Sequence, residues 1–256
     1  MPELARSFGR IAAEYDAVRP DYAPAALARA EEVLGLGPAA RVVDLAAGSG
    51  KLTRALAARF AEVVAVEPDE EMRAILGGRS PEIELVHGTA EDLPLADAVA
   101  DAVFVGDAFH WFDAARAVAE LERVIRPGGG LALLWNHWWS EGPEGTADAL
   151  EPQLPAAARM LLDAVYAASG RAAARASMPD PLTVFADSCF QTLVEESFSR
   201  NEALTGAAVA DLYATVSSIA SLVPDDRSAL RRELLRLLDE RYRLTITTVL
   251  HWTRRV

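Results

Sequence analysis

The sequence predicts an α/β fold: a doubly wound parallel sheet with helices on both faces. Three observations carry this expectation. Short apolar runs alternate with segments of helical periodicity between residues 41 and 135. The first run, Arg41-Val42-Val43-Asp44-Leu45, turns through Ala46-Ala47-Gly48-Ser49-Gly50 directly into a helix-like stretch, Lys51 to Phe60. Polar and aromatic side chains crowd the carboxyl ends of the later runs, where open α/β sheets bind ligands.

The chain has 256 residues, of which 51% are hydrophobic and 25% charged, enough for one domain with a substantial core. No run approaches 18 apolar residues, so no membrane span is expected. The segment Met1 to Arg6 lacks the basic-then-apolar pattern of a signal sequence. The single cysteine, Cys189, has no internal partner for a disulfide, and a cytoplasmic protein is expected. Net charge is −13, a field that repels phosphate backbones and disfavours nucleic-acid partners. The four histidines, 87, 110, 137 and 251, show no paired ligand spacing, so no metal site is expected.

Taken in order, Phe8, Ile11, Ala12 and Tyr15 fall at helical spacing, and Pro20 ends that helix. A second helix runs from Ala25 to Leu34, stopped by Gly35 and Gly37. The strand at 41–45 follows, then the helix from Lys51. Val63 to Val66 reads as the next buried strand, with Glu67 at its end, and Pro68-Asp69 starts a helix through Leu76 that Gly77-Gly78 ends. Ile83 to His87 is a third strand, and Gly88 to Pro94 a loop. Asp101 to Gly106 is the fourth strand, running into Asp107-Ala108-Phe109-His110-Trp111-Phe112-Asp113. Asp113 is placed to cap a helix whose apolar face carries Ala114, Ala117, Val118, Leu121, Val124 and Ile125. Pro127 to Gly130 terminates it, and Leu131 to Trp135 is the fifth strand.

Beyond Trp135 come Asn136-His137-Trp138-Trp139, then a proline- and glycine-punctuated stretch with an alanine-rich helix from about 156 to 176. It reads as an insertion over the ligand cleft. Phe190 to Phe198 is strand-like, helices follow around 206–222 and 226–240, and Leu244 to Trp252 alternates as a last strand.

The turn after the first strand is built for a ligand. Glycine at 48 and 50 removes Cβ atoms where a ligand presses on the backbone, and the opening amides of the next helix carry partial positive charge. A dinucleotide fingerprint would need a third glycine at 53, which is threonine. The Tyr-x-x-x-Lys pair of short-chain oxidoreductases is also absent, because Lys51 is the only lysine and position 47 is alanine. An acidic residue at the next strand's end, as Glu67 is, can accept hydrogen bonds from both hydroxyls of a ribose. A Gly-rich turn for another nucleotide is the competing interpretation.

Asp44-x-Ala46-x-Gly48-x-Gly50 resembles motif I of class I S-adenosylmethionine (SAM) methyltransferases, with Ala46 in place of the first glycine. Further signals arrive in order: Tyr15-Asp16 with Arg19-Pro20, Glu67-Pro68, Gly88-Thr89-Ala90-Glu91-x-Leu93-Pro94, His110-Trp111-Phe112, Arg123-Val124-x-Arg126-Pro127-Gly128-Gly129 and Leu133-x-Trp135-Asn136. Together they are similar to the type 11 group, related to ubiquinone/menaquinone and trans-aconitate methyltransferases. Thr89 departs from the aspartate usual in the group. The resemblance implies a Rossmann-like, mostly parallel sheet of about seven strands whose last strand is antiparallel. It also implies N-terminal cover helices over residues 1–37, a SAM-binding core over 38–136, a helical insertion on the acceptor side over 137–188, and C-terminal helices and strands over 189–256.

The roles it implies are positional. Gly48 and Gly50, with Ala46, would let the methionine part of SAM lie on the backbone, and Asp44 would orient that loop and the ligand's ammonium. Glu67, followed by Pro68, would hold the ribose hydroxyls, and Ala90 and Glu91 would flank adenine. Tyr15 and Arg19 would close over the ligand, the arginine near its carboxylate. Asp107 to Trp111 would border the methyl group. The implied activity is transfer of the SAM methyl to a small molecule, leaving S-adenosylhomocysteine. The alternative is a SAM-binding or regulatory protein without turnover. His110 is the candidate base if the acceptor is a hydroxyl, on the expectation that it titrates near neutrality. The competing role is a structural histidine stacked beside Trp111. His137 with Trp135, Trp138 and Trp139 would line an apolar acceptor pocket, or else serve as core packing under the insertion.

Overall fold

The computed structural model describes residues 9–138, 150–168 and 181–256. A 3-10 turn at Gly9–Ile11 opens onto helix α1, Ala12–Val18. Arg19 is extended there, as a residue before proline must be. Helix α2, Pro24–Leu34, begins with proline at its first position and ends at Gly35 in the left-handed conformation, φ 65°. The alternation then runs β1 (Arg41–Leu45), α3 (Lys51–Ala57), β2 (Glu62–Val66), α4 (Glu70–Arg79), β3 (Glu84–Val86), β4 (Ala100–Gly106), α5 (Ala114–Val124) and β5 (Ile125–His137). The second half comprises α6 (Leu150–Gln153), α7 (Ala156–Ala168), α8 (Pro181–Val184), β6 (Val194–Thr205), α9 (Gly206–Ala214), α10 (Ser217–Ala220), α11 (Pro224–Leu237) and β7 (Arg241–Arg254).

Seven strands form one sheet in the order β3-β2-β1-β4-β5-β7-β6. The first five are parallel, and β7 enters antiparallel between β5 and β6. The order reverses at β1, which pairs with β2 on one side and β4 on the other. That reversal opens a crevice at the carboxyl ends of the strands. Leu45 of β1 lies level with Val66 of β2 and Val105 of β4, so the residues that follow each strand meet at one edge.

Alternation along the buried strands separates two cores. Val42, Val63, Phe104 and Leu134 face α2 and α3 through Leu27, Leu34, Leu52 and Leu56. Val43, Val64, Val103 and Leu133 face α5 through Ala117, Leu121 and Val124. A third cluster lies beyond the parallel strands. There Leu150, Leu154 and Leu162 of the insertion pack on Leu212 and Tyr213 of α9, Leu234 of α11, and Leu244 and Ile246 of β7.

Several boundaries differ from expectation. Helix α4 runs through Gly77 and Gly78 to Arg79, because an ion pair from Arg79 to the buried Asp16 ties down its last turn. Helix α5 ends at Val124, before Pro127. The segment 127–130 is instead the irregular start of β5, where a register shift falls between Ala100 and Ala102. A Cβ on Gly129 would lie 2.7 Å from the Asp101 carbonyl, so the glycine permits close strand packing. Strand β6 spans 194–205 instead of 190–198, in unbroken register with β7 from Val194↔Trp252 to Thr205↔Arg241. Pairing to a long partner outweighed the weak local pattern there. The helix expected over 206–222 is two helices, α9 and α10. Phe8, Trp139 and the part of the alanine-rich helix beyond 168 lie outside the described residues.

Candidate functional site

The candidate site forms where β1, β2, β4 and β5 end together. Asp44 is 1% exposed on β1. Its Oδ2 accepts the Thr53 hydroxyl at 2.6 Å, so the threonine that breaks the dinucleotide fingerprint is the residue that fixes the motif's acid. Its Oδ1 is buried with no hydrogen-bond partner. Burial pushes the Asp44 carboxyl up to about 7, against the Thr53 hydrogen bond and with the charge of Glu67 adding to the rise.

The loop after β1 is left-handed at three places: Ala46 (φ 58°), Gly48 (φ 56°) and Gly50 (φ 88°). Gly50 also needs its missing Cβ, which would stand 2.7 Å from Leu76. Around Gly48 a Cβ would meet nothing within 4 Å, so this backbone faces open space. The Gly48 amide donates to Glu67 Oε2 at 2.8 Å, and the Asp69 amide donates to Oε1 at 2.8 Å. Glu67 is 4% exposed, and burial pushes its carboxyl up to about 7 against those two amides. Pro68 lies between Glu67 and Asp69, and Asp69 caps α4 by accepting the Met72 amide.

The cover is stitched to this loop by Arg54 of α3. Its guanidinium donates to the Ser49 carbonyl at 3.0 Å and to Asp16 Oδ1 on α1 at 2.7 Å. Burial alone would raise the Asp16 carboxyl, but the hydrogen bond from Arg54 and the charges of Arg54 and Arg79 outweigh it and hold it below the usual range. Arg19 donates to the Thr215 hydroxyl at 2.9 Å and to its carbonyl at 2.8 Å. Its guanidinium lies 5.1 Å from the Tyr15 ring centre and 5.5 Å from that of Trp138. Burial also raises the Tyr15 phenol, which stays protonated at neutral pH.

Asp107 follows β4 with φ 51°. Its Oδ1 accepts the Asn136 amide at 3.1 Å, and its Oδ2 accepts the Tyr22 hydroxyl at 3.1 Å. Burial pushes its carboxyl up to about 6, opposed by the charge of Arg19. A Cβ on Gly106 would collide with the Tyr22 hydroxyl, so this glycine admits the tyrosine. The Asn136 side chain donates to the carbonyls of Pro20 (3.1 Å) and Asp21 (3.2 Å) and accepts the Thr248 hydroxyl at 2.6 Å. Thr248 in turn accepts the Ala23 amide at 2.9 Å.

Residues 43–133 match the family model described as a methyltransferase domain. That segment is similar to methyltransferase domains. An uncharacterized methyltransferase of Mycobacterium tuberculosis is 46% identical over 136 residues, which is 52% of this chain and 54% of that protein. A malonyl-[acyl-carrier protein] O-methyltransferase of Methylococcus capsulatus is 42% identical over 140 residues, 50% of this chain and 49% of that one. The chain thus spans about half the length of the curated relatives it matches. Among solved structures, a protein proposed to be a type II methyltransferase from Anaeromyxobacter dehalogenans superposes with a TM-score of 0.58 at 24% identity, covering 92% of this chain and 97% of that one. The shared fold is the class I methyltransferase fold.

The structure brings together Asp44, Ala46, Gly48, Gly50, Glu67, Pro68 and Asp107 at the strand ends, and Tyr15 and Arg19 on the cover. Ala90 is buried among the side chains facing α5. Glu91 is tied down: its carboxylate accepts the Asp113 amide at 2.9 Å and its carbonyl accepts Arg116 at 3.3 Å. Two acceptor-side expectations need correction. His110 does not titrate near neutrality, because burial lowers its pKa to about 4. Trp138 is not a pocket wall. It is 2% exposed, packed edge-on to Tyr213 at 5.5 Å in the core beneath the insertion. Trp111 and Trp135 are partly buried against the core facing α5, and His137 ends β5. Thr53, Thr215 and Thr248 went unpredicted. A threonine's hydroxyl shows in sequence, but not the partner that folding supplies. Asn136 was visible as the polar residue that stops the β5 apolar run.

Proposed function

We propose that this chain is a class I SAM-dependent methyltransferase acting on a small-molecule acceptor. One arrangement carries the reading: Glu67 held by the Gly48 and Asp69 amides, beside the open backbone at Gly48 and the unpartnered Asp44 Oδ1. The cradle fits a cationic nucleoside ligand on each count. Glu67 has acceptor capacity left for ribose hydroxyls after taking one amide on each oxygen. Asp44 Oδ1 is an acceptor without a donor, in a place where a buried carboxylate favours positive charge. The gap at Gly48 lets a ligand lie on the backbone.

When bound, SAM supplies a methyl group already activated by its sulfonium. The chain's own task is then alignment and exclusion of water, which can be worth about 7–11 kcal/mol in favourable cases. The cover contributes by holding α1 to α3 through Asp16 and Arg54, and by pinning residues 20–23 over the strand ends. The acidic charge of −13 supports a small acceptor over nucleic acid. No helix among the described residues is long and apolar enough to cross a membrane. A cytoplasmic location is part of the same proposal, supported by the free thiol of Cys189.

Calorimetric titration with SAM, S-adenosylhomocysteine and NADH tests the reading. Micromolar binding of the first two and none of NADH is expected. Silence for both sulfur ligands, or a clear NADH signal, would remove it.

A further inference from the structure

Strand β6, Val194–Thr205, ends the sheet, and among the described residues no strand pairs with its outer side. An outer strand presents a row of unpaired amides and carbonyls, and proteins blunt such edges with proline, lysine, bulges or short length. β6 has none of these. It holds no proline, glycine or lysine, and it pairs with β7 in unbroken register from Val194↔Trp252 to Thr205↔Arg241. On one face Glu195, Ser197, Ser199, Asn201 and Ala203 are all exposed. Beside Asn201 the surface is hollowed by a depression of about 440 Å3, bordered also by Glu202, Ala203 and Arg241 to Arg243. The other face is half-buried: Phe198 packs on the core facing α2, and Leu204 on the cluster that includes α9 and α11.

The charges on that half-buried face are only partly spent. Arg200 donates from Nε to Glu202 Oε1 at 3.0 Å, and its Nη2 lies 2.9 Å from the same oxygen. Its Nη1 is buried without an acceptor. Among the described residues no hydrogen bond or ion pair uses Glu202 Oε2. Each chain thus keeps one spare donor and one spare acceptor at its sheet edge.

A second copy of the strand can use both. Two copies pair antiparallel about a two-fold axis normal to the sheet. Opposed residues must share a face, so the axis passes through a residue and not between two. The sequence then selects the residue. An axis at Ser199 opposes Glu196 to Glu202, and one at Arg200 or Glu202 opposes that residue to itself. Like charges directly opposed are destabilising. An axis at Ser197 sets Glu196 against Phe198, and one at Phe198 sets Val194 against Glu202. Axes nearer the strand ends pair too few residues. An axis at Asn201 has no such conflict: Arg200 opposes Glu202, Phe198 opposes Leu204, Ser199 opposes Ala203 and Ser197 opposes Thr205.

We propose that β6 is the interface of a homodimer, in which two copies of this chain pair antiparallel about Asn201 and their sheets continue as one. The spare Arg200 donor of each copy then faces the spare Glu202 acceptor of the other. β6 lies at the edge of the sheet farther from β1, so the pairing is independent of methyl transfer.

Sedimentation equilibrium of the full chain, from micromolar to millimolar concentration, tests the pairing. A reversible dimer is expected, and a monomer throughout overturns the proposal. Arg200→Glu and Glu202→Arg each set like charges across the axis and should raise the dimer dissociation constant at least about 10-fold. The double swap restores opposite charges and should return the constant to within about 3-fold of wild type. A constant that neither single reversal moves, or that the swap does not restore, places the contact elsewhere and overturns the proposal.

Cysteine substitutions read the register without touching the charges. In a Cys189→Ala background, Asn201→Cys puts two thiols on the axis, where opposed Cα atoms stand about 4.5–5.5 Å apart, within disulfide reach. Mild oxidation should join the two chains. Ser199→Cys opposes Ala203 and should not cross-link to itself. Cross-linking at Ser199→Cys in place of Asn201→Cys, or at neither, overturns the proposal.

Discussion

The Gly48 amide donates to the Glu67 carboxylate at 2.8 Å, joining the loop after β1 to the end of β2. The two halves of the proposed nucleoside site are thereby one hydrogen-bonded unit before any ligand arrives. Glu67→Gln can keep the Gly48 bond but turns an amide toward Asp69, whose N–H needs an acceptor. S-adenosylhomocysteine affinity should fall about 10-fold or more, equivalent to about 1.4 kcal/mol. In the wild type, affinity should fall as pH drops through about 7, where Glu67 takes up a proton. Glu67→Gln should show a shallower dependence, read by calorimetry across that range.

Asp44 controls stability in the opposite sense. Its folded carboxyl holds a proton up to about 7, whereas the ordinary value is 3.8. The folded state binds more protons across that window, so stability is greatest at its acidic end and declines as pH rises. Asp44→Asn removes the buried charge and should resist denaturant better than wild type at about pH 8, by on the order of 2–4 kcal/mol. The difference should vanish near about pH 4. The same variant should lose ligand affinity. Denaturation midpoints at the two pH values decide the point.

Ala46 occupies a left-handed conformation, φ 58°, in which an alanine is strained. Ala46→Gly relieves the strain but enlarges the freedom of the unfolded chain. The net gain should be about 0.5–1 kcal/mol. The melting temperature should rise by about 1–3 °C, with ligand affinity preserved. A lower melting temperature would mean that the loop depends on the methyl group.

Arg19 is expected to serve both the ligand and the cover. Arg19→Ala should weaken S-adenosylhomocysteine binding and cost about 1–2 kcal/mol of stability through its two bonds to Thr215. Thr215→Val loses the hydroxyl's bond from Arg19 and its own bond to the Leu212 carbonyl at 2.7 Å, so it should cost a similar amount of stability while leaving affinity near wild type. Thermal melts with and without ligand separate the two effects.

The parallel sheet was legible because buried strands are continuous apolar runs and the turns between them carry glycine and proline. Asp44, Gly48 and Glu67 were legible for a related reason: their roles depend on position along a strand and turn, which sequence spacing preserves. The partners 85 to 225 residues away were not. Tyr22 finding Asp107, Arg19 finding Thr215, and Ala23 finding Thr248 are products of the assembled sheet. His110 shows the same limit at the level of charge. Its identity suggested a group titrating near neutrality, and only the surrounding core lowers its pKa.

The latch over the strand ends has a consequence for how the molecule is made. Ala23 is fastened to Thr248, 225 residues later, and Asn136 in the middle of the chain holds Thr248 and the carbonyls of Pro20 and Asp21. A ribosome emits the glycine-loop half of the fold long before it emits the strand that holds the cover down. Contacts so far apart in sequence close late, since the loop entropy comes first. During synthesis the nascent chain thus exposes an open cradle, and the protein gains its roof only when translation has passed β7.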